Sequence, residues 1–535
     1  MIFNPVLPGF NPDPSICRVG EDYYIATSTF EWYPGVQIHH SRNLVNWNLV
    51  RRPLERASQL DMRGNPDSCG VWAPCLSYAD GLFWLVYTDV KRLDGNFKDA
   101  HNYIVTSPTI EGEWSDPVYI NSSGFDPSLF HDDDGRIWFM NMLWNHRSNS
   151  VGGSPKHPAF AGILLQEYDP DAGKLVGPVK NVFQGSSHGL VEGPHLFKRK
   201  GWYYMTVAEG GTGYDHAVTM ARSRSIDGPY EIHPDTFLIT SSKAPDAVLQ
   251  RAGHGQIVET PTGLVFHTDL CSRPLPGTRR SPLGRETAIQ RCEWRDDGWL
   301  YLSQGGIKPF VEVATEDPLV DPEPARAVHR IFDGDQLPPE FQWLRSPEPE
   351  KLFSMTGNAL RLHARESIGS WFEQALVARR QEHFVFRAET EISFAPETIQ
   401  QAAGLTHYYN RHKFHFLAVT WHEELGRVLT ILSCPGDWPD GRLEFPLDEP
   451  VQLPAGGSVQ LALEADLGEL RFFWRASASE DWKQVGPVLD ASVISDEGGR
   501  GEHASFTGAF VGMAAFDTSG SAINADFSRF DYAPR

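Results

Sequence analysis

Short runs in which aromatic and aliphatic residues alternate with polar ones recur through the first 300 residues, and helical periodicity is nearly absent. Tyr23-Tyr24-Ile25-Ala26-Thr27, Leu82-Phe83-Trp84-Leu85-Val86-Tyr87 and Trp202-Tyr203-Tyr204-Met205-Thr206 predict strands. Strands of this kind follow the turn signals Glu21-Asp22, Asp80-Gly81, Asp134-Gly135, Lys200-Gly201 and Thr262-Gly263. Segments of similar character precede those turns: Asp13-Pro14-Ser15, Ala73-Pro74-Cys75, Asp126-Pro127-Ser128, Glu192-Gly193-Pro194-His195 and, more weakly, His254-Gly255-Gln256. One unit is thus repeated five times with a period of roughly 50–65 residues, somewhat longer than common propeller blades. The pattern predicts an all-β fold that begins with a five-bladed β-propeller; a sandwich or barrel with accidental Asp-Pro dipeptides is the alternative.

The repeat stops in a Pro- and acid-rich stretch, Glu316-Asp317-Pro318-Leu319-Val320-Asp321-Pro322-Glu323-Pro324, which can neither pair inside a sheet nor continue a helix. A domain boundary is expected there, with a propeller over 1–318 and a second domain over 325–535. Alternating runs such as Phe384-Val385-Phe386-Arg387-Ala388-Glu389-Thr390-Glu391-Ile392, Lys413-Phe414-His415-Phe416-Leu417-Ala418-Val419-Thr420 and Leu470-Arg471-Phe472-Phe473-Trp474 predict a C-terminal β-sandwich, with a supporting or ligand-closing role.

Composition narrows the function. The 535 residues are 41% hydrophobic with no apolar run long enough to span a bilayer, so a soluble protein without a membrane partner is expected. A formal net charge of -22 would repel a phosphate backbone, which argues against nucleic acid. Met1-Ile2-Phe3-Asn4-Pro5 lacks the features of an export signal, and a cytoplasmic location is expected. The six cysteines are scattered without Cys-x-x-Cys spacing, so neither a disulfide framework nor a zinc site is indicated. Abundant Trp, Phe, Pro and Gly suit short strands, turns and flat rings facing a ligand; a carbohydrate protein fits.

Three repeats begin with a carboxylate in the same phase: Asp13, Asp126 and Glu192. The first strand of each propeller blade lines the central channel, so these three acids are expected at one mouth. Like charges in a partly dry pocket cannot all ionise, and unequal proton affinities are what general acid and base catalysis requires. Taken singly, Asp before Pro is a common turn former. Acids without metal-ligand clusters, a Gly-Lys-Ser loop or a Gly-x-Ser-x-Gly elbow point to hydrolysis of an acetal, with aromatic rings stacked on sugar faces.

The stretches Asn4-Pro5-Val6-Leu7-Pro8-Gly9-Phe10-Asn11-Pro12-Asp13-Pro14-Ser15 and Thr27-Ser28-Thr29-Phe30-Glu31-Trp32-Tyr33-Pro34-Gly35-Val36-Gln37-Ile38-His39-His40-Ser41 resemble the β-xylosidases of glycoside hydrolase family 43. Gly70-Val71-Trp72-Ala73-Pro74, Gly124-Phe125-Asp126-Pro127-Ser128, Glu192-Gly193-Pro194-His195, Gly253-His254-Gly255, Leu283-Gly284-Arg285-Glu286-Thr287-Ala288-Ile289-Gln290 and Phe506-Thr507-Gly508-Ala509-Phe510-Val511-Gly512 follow in the family's order, so the likeness covers essentially the whole chain. The resemblance implies a propeller joined to a lectin-like sandwich, and an inverting exo-hydrolase releasing D-xylose from the non-reducing end of short β-1,4-xylooligosaccharides, with α-L-arabinofuranosidase activity on small substrates. It makes Asp13 the general base, Glu192 the general acid, and Asp126 the carboxylate that orients Glu192 and keeps its proton affinity raised.

By the same resemblance Arg285 binds hydroxyls of the terminal sugar, Trp72, Phe30 and Phe125 wall the pocket, Trp144 flanks the leaving group, and Phe506 reaches across from the second domain to close the site. Each has a plainer reading: a structural ion pair for Arg285, core packing for the aromatics. His254 is expected to bind sugar or, as in some relatives, to help hold a structural divalent cation such as calcium; a hydrogen-bonded core histidine is the alternative. No cofactor is expected to be required. Relatives are commonly tetrameric, which implies a homo-oligomer. The rivals are an arabinofuranosidase and a sugar-binding protein without chemistry.

Overall fold

The computed structural model describes residues 1–93, 97–147, 157–315, 320–325, 327–436, 441–499 and 505–535. The expected boundary near 318 falls outside the described residues. Five antiparallel sheets of four or five strands follow one another in chain order through the first 302 residues. Their innermost strands start at Ser15, Cys75, Ser128, Glu192 and, in the fifth blade, the split pair Gln250–Gly253 and Ile257–Glu259, so the predicted repeats are the blades of a propeller. The turns that lead into the second strands behave as their sequences require: Asp80 and Gly81 have φ of 52° and 79°, Lys200 and Gly201 of 49° and 74°, the left-handed pairs of tight hairpins.

The serine of the repeated Asp-Pro-Ser is a staple between blades. Ser15 Oγ accepts from the Leu76 N–H of blade two at 2.9 Å and donates to Gln256 Oε1 of blade five at 2.7 Å. Ser128 Oγ of blade three donates to the Pro194 carbonyl of blade four at 2.6 Å. The ring is closed by the N-terminal segment, which runs beside blade five: Ile2–Phe3 pairs with Glu312–Val313, and the Asn4 side chain donates to Ile289 O and accepts from Ile289 N, both at 2.8 Å. That closure places Asp13 at the axis, because Asn11 N–H donates to Arg285 O and Thr287 Oγ1 donates to Asn11 O two residues earlier.

The C-terminal domain is a sandwich of two eight-stranded antiparallel sheets around an apolar core that includes Phe386, Leu461, Phe472, Phe527 and Phe530. The three predicted strands are present as Val385–Ser393, Lys413–His422 and Glu469–Arg475. One sheet crosses the domain boundary: Trp32–Tyr33, from a blade-one loop, pairs with Gln342–Leu344 as its edge strand. Trp32 is fully buried and stacked on Phe510 with centroids 3.7 Å apart. A single apolar cluster therefore contains Phe10, Phe30 and Phe125 of the propeller with Tyr408, Phe416 and Phe510 of the sandwich, and the two domains share a core.

Candidate active site

At the axial end of the propeller that faces the sandwich lies a cavity of about 250 Å³. Asp13, Asp126, Glu192, Arg285, Trp72, Phe30, Phe125, Trp144, His254 and Phe506 all line it, so every site residue expected from the sequence meets at one place. The acids arrive there through backbone geometry. Asp13 and Asp126 each precede an inner strand in the left-handed region, at φ 56° and 54°, a conformation that costs non-glycine residues on the order of 1 kcal/mol or more and persists where surrounding structure imposes it. In blade four the left-handed position falls one residue later, on Gly193 (φ 57°). A Cβ there would lie 2.8 Å from His254 Nε2, so glycine is what lets the histidine ring pack beneath Glu192.

Each carboxyl has different neighbours. Asp13 accepts from Ser28 Oγ at 2.6 Å and from Arg285 Nη1 at 2.9 Å, and His254 Nδ1 stands 3.6 Å away, beyond hydrogen-bonding range. Asp126 accepts from the Gly193 N–H; its proton affinity is pushed well up by burial, then by Glu192 and Asp13, against the pull of Arg285. Burial and the Asp13 charge raise Glu192 to about 8, with Arg285 and Lys98 acting in the opposite sense. Three acids share one guanidinium, so the site keeps a carboxyl proton at neutral pH.

That retained proton has a thermodynamic signature. Near pH 4 Glu192 is largely protonated in the folded and the unfolded chain alike. As pH rises past the ordinary value of 4.5, the unfolded chain ionises while the native site holds its proton up to about 8, so stability falls through this window. Glu192→Gln is therefore expected to melt like the wild type near pH 4 and several degrees higher at about pH 8 in thermal scans. An identical difference at both pH values would contradict the raised carboxyl.

The aromatic wall is continuous. Phe506 lies 6.5 Å from Phe30 and 6.2 Å from Trp72; Trp72 meets Phe125 edge-on at 5.0 Å; Trp144 packs on Phe160 at 5.4 Å. The Trp72 indole N–H donates to Ser68 O, which leaves its ring as an apolar face. Arg285 donates through Nη2 to the Phe506 carbonyl at 3.0 Å, while its buried Nε has no protein partner. A ligand hydroxyl is the natural acceptor for such a donor.

Lys98, His216, Thr212 and Phe160 also line the cavity and were not anticipated. Lys98 Nζ lies 4.3 Å over the Trp144 ring and donates to Leu93 O. Lys98, Thr212 and His216 come from connections between outer strands and Phe160 opens the strand Phe160–Asp169, places that no repeat phase marks. The one available signal is Gly210-Gly211-Thr212-Gly213, a glycine-rich stretch beside a strand end.

The donor set does not suit a divalent cation at His254. The facing oxygen of Asp13 already carries the Arg285 guanidinium, so a cation there would meet positive charge. Among the described residues no three His, Cys, Asp or Glu side chains converge as a metal site.

A propeller mouth holding carboxyls of unequal proton affinity inside an aromatic pocket defines a glycoside hydrolase that works with acid and base side chains. Comparison with known proteins agrees. Residues 2–300 match the glycosyl hydrolases family 43 domain and residues 330–533 the beta xylosidase C-terminal concanavalin A-like domain, and the chain belongs to glycoside hydrolase family 43. It is 59% identical to a xylosidase/arabinosidase 43B of Humicola insolens over 99% of this chain and 97% of that one, and 48% identical to a beta-xylosidase of Bacillus subtilis over 99% of both. The crystal structure of a xylan beta-1,4-xylosidase from Bacillus halodurans superposes with a TM-score of 0.95 at 50% identity, covering all of both chains.

Proposed function

We propose that this enzyme is an inverting, exo-acting β-xylosidase that releases D-xylose from the non-reducing end of short β-1,4-xylooligosaccharides. The observation that carries the reading is the unequal treatment of the acids within one pocket: Asp13 held by Ser28 and Arg285, Glu192 raised to about 8 by burial and the Asp13 charge. Asp13 accepts a proton from water as that water attacks the anomeric carbon. Glu192 gives its proton to the glycosidic oxygen as the bond breaks, and the departing sugar leaves as a neutral alcohol. Arg285 Nε donates to a hydroxyl of the terminal xylose. Phe506 closes the pocket at one end, which favours chain ends over chain interiors. No step passes through a metal.

Asp126 has the role of orienting Glu192 and making its last proton harder to lose. Whichever of the two carboxyls holds that proton, it departs against the charge of the other. In Asp126→Asn it departs beside a neutral amide, so the basic limb of the kcat/KM profile is expected to move to lower pH. A profile with an unmoved basic limb would remove this role.

The reading is tested by proton NMR of xylobiose hydrolysis in water, followed from the first turnover. α-Xylose as the first anomer is expected; β-xylose would mean retention, and no cleavage at all would leave a binding protein. A second reading, α-L-arabinofuranosidase activity, is favoured by the name of the Humicola insolens relative, which carries both activities. The ratio of kcat/KM on the two aryl glycosides decides between them.

A further inference from the structure

We propose that a buried relay from Arg251 through Asp496 and Tyr409 to the backbone of Phe506-Thr507 holds Arg285, and through it Asp13, in working register. This deepens the function proposed above and rests on the reading of Asp13 as base. The residues are positioning residues: none lies against the reacting atoms.

The backbone at Phe506 is held at three successive polar atoms. Its N–H donates to Ser68 Oγ at 3.0 Å, its carbonyl accepts from Arg285 Nη2 at 3.0 Å, and the following N–H, of Thr507, donates to the Tyr409 hydroxyl at 2.9 Å. Arg285 reaches Asp13 with its other terminal nitrogen. The guanidinium is thus fixed between a propeller carboxylate and a sandwich carbonyl, and its plane, with the direction in which it presents Nε, depends on both. Close backbone approach makes this possible: a Cβ on Gly284, the residue before Arg285, would lie 2.2 Å from Thr507 O.

Behind that contact sits a charged network spanning both domains. The Tyr409 hydroxyl donates to Asp496 Oδ1, and Asp496 Oδ2 accepts from Arg251 Nη1 at 2.8 Å. Arg251 Nε donates to the carbonyl of Thr212, a residue of the cavity wall, at 2.7 Å. Lys413 Nζ donates to Ser495 O at 2.7 Å and to Ser505 Oγ at 2.9 Å, tying the asparate-bearing segment to the residue before Phe506. Arg251 is 1% exposed and Asp496 and Tyr409 are 0% exposed. Apolar residues hold domains together at least as well as buried ion pairs do, since the charges must be stripped of water. Hydrogen bonds to charged groups supply direction as well as attachment, and direction is what Arg285 requires.

The test compares Tyr409→Phe, which deletes one oxygen, with Asp496→Asn and their double variant in the full chain. Xylobiose and an aryl β-xyloside with an activated leaving group serve as substrates. Because misplacing a reacting group by about 1 Å costs up to about 10²-fold, kcat/KM is expected to fall about tenfold or more on both substrates, with part of the loss in kcat because Asp13 loses register along with the sugar-binding Arg285. The double variant is expected to be no worse than the weaker-active single, since both act through one chain of contacts. An unchanged kcat in folded variants, a loss confined to KM, or loss of folding in both singles would each overturn the relay. Asp13→Asn, measured alongside, separates the two failures: if it stays active the reading of Asp13 is wrong, and if it is inactive while Tyr409→Phe is fully active only the relay is.

Discussion

Glu192→Ala is expected to lower kcat on xylobiose about 10²- to 10⁴-fold, the usual range for loss of a general acid, and to cost an activated aryl xyloside about tenfold or less. The sugar alkoxide released from xylobiose needs a proton as the bond breaks; a nitrophenolate leaves without one. The physical basis is the carboxyl itself, buried and facing the Asp13 charge, so that its proton affinity is raised to about 8. Steady-state kinetics on the two substrates read the difference directly. Equal losses on both would move the acid role to another residue.

Asp13→Asn is expected to lose about 10²- to 10⁴-fold in kcat on both substrates, because neither leaving group relieves the need to take a proton from attacking water. The amide preserves size: its oxygen can keep the bond from Arg285, which donates to one carboxylate oxygen at 2.9 Å, and its NH2 can donate to the hydroxyl of Ser28, which donates to the other at 2.6 Å, so the site's shape should survive. What it lacks is basicity. Retention of most of the activity on the aryl xyloside would sink the assignment. The pattern across the two variants, selective for Glu192 and general for Asp13, distinguishes acid from base more sharply than either result alone.

The sandwich bears on both results through Arg285, which donates to the Phe506 carbonyl as well as to Asp13. Residues of the propeller and the sandwich enter one buried cluster, Trp32–Tyr33 pairs into the sandwich sheet and Phe506 lines the pocket, so the second domain helps to form the pocket.

Much of this was legible in the order of residues. The five repeats and their turns were visible because strand alternation, Asp-Gly and Lys-Gly turns and Asp-Pro-Ser segments are local features, determined by residues close together in the chain. The repeat phase also singled out Asp13, Asp126 and Glu192, since equivalent blade positions must converge on the axis. Their chemical inequality was beyond that reading. Ser28 and Arg285 come to Asp13 from 15 and 272 residues away, and the burial that raises Glu192 depends on the packing of the whole pocket. Lys98, His216 and Thr212 were missed for the same reason: they lie on connections whose course over the mouth is decided by packing.

The sequence alone therefore determined the blade count, the identity of the three acids and the aromatic character of their surroundings, because periodic and local preferences specify strands and their phase. Only the tertiary structure decided how far burial and neighbouring charge raise the proton affinities of Glu192 and Asp126, and how Arg285 is shared between Asp13 and the Phe506 carbonyl. Desolvation, charge proximity and hydrogen-bond direction belong to distances in space, and those distances exist only once both domains have packed.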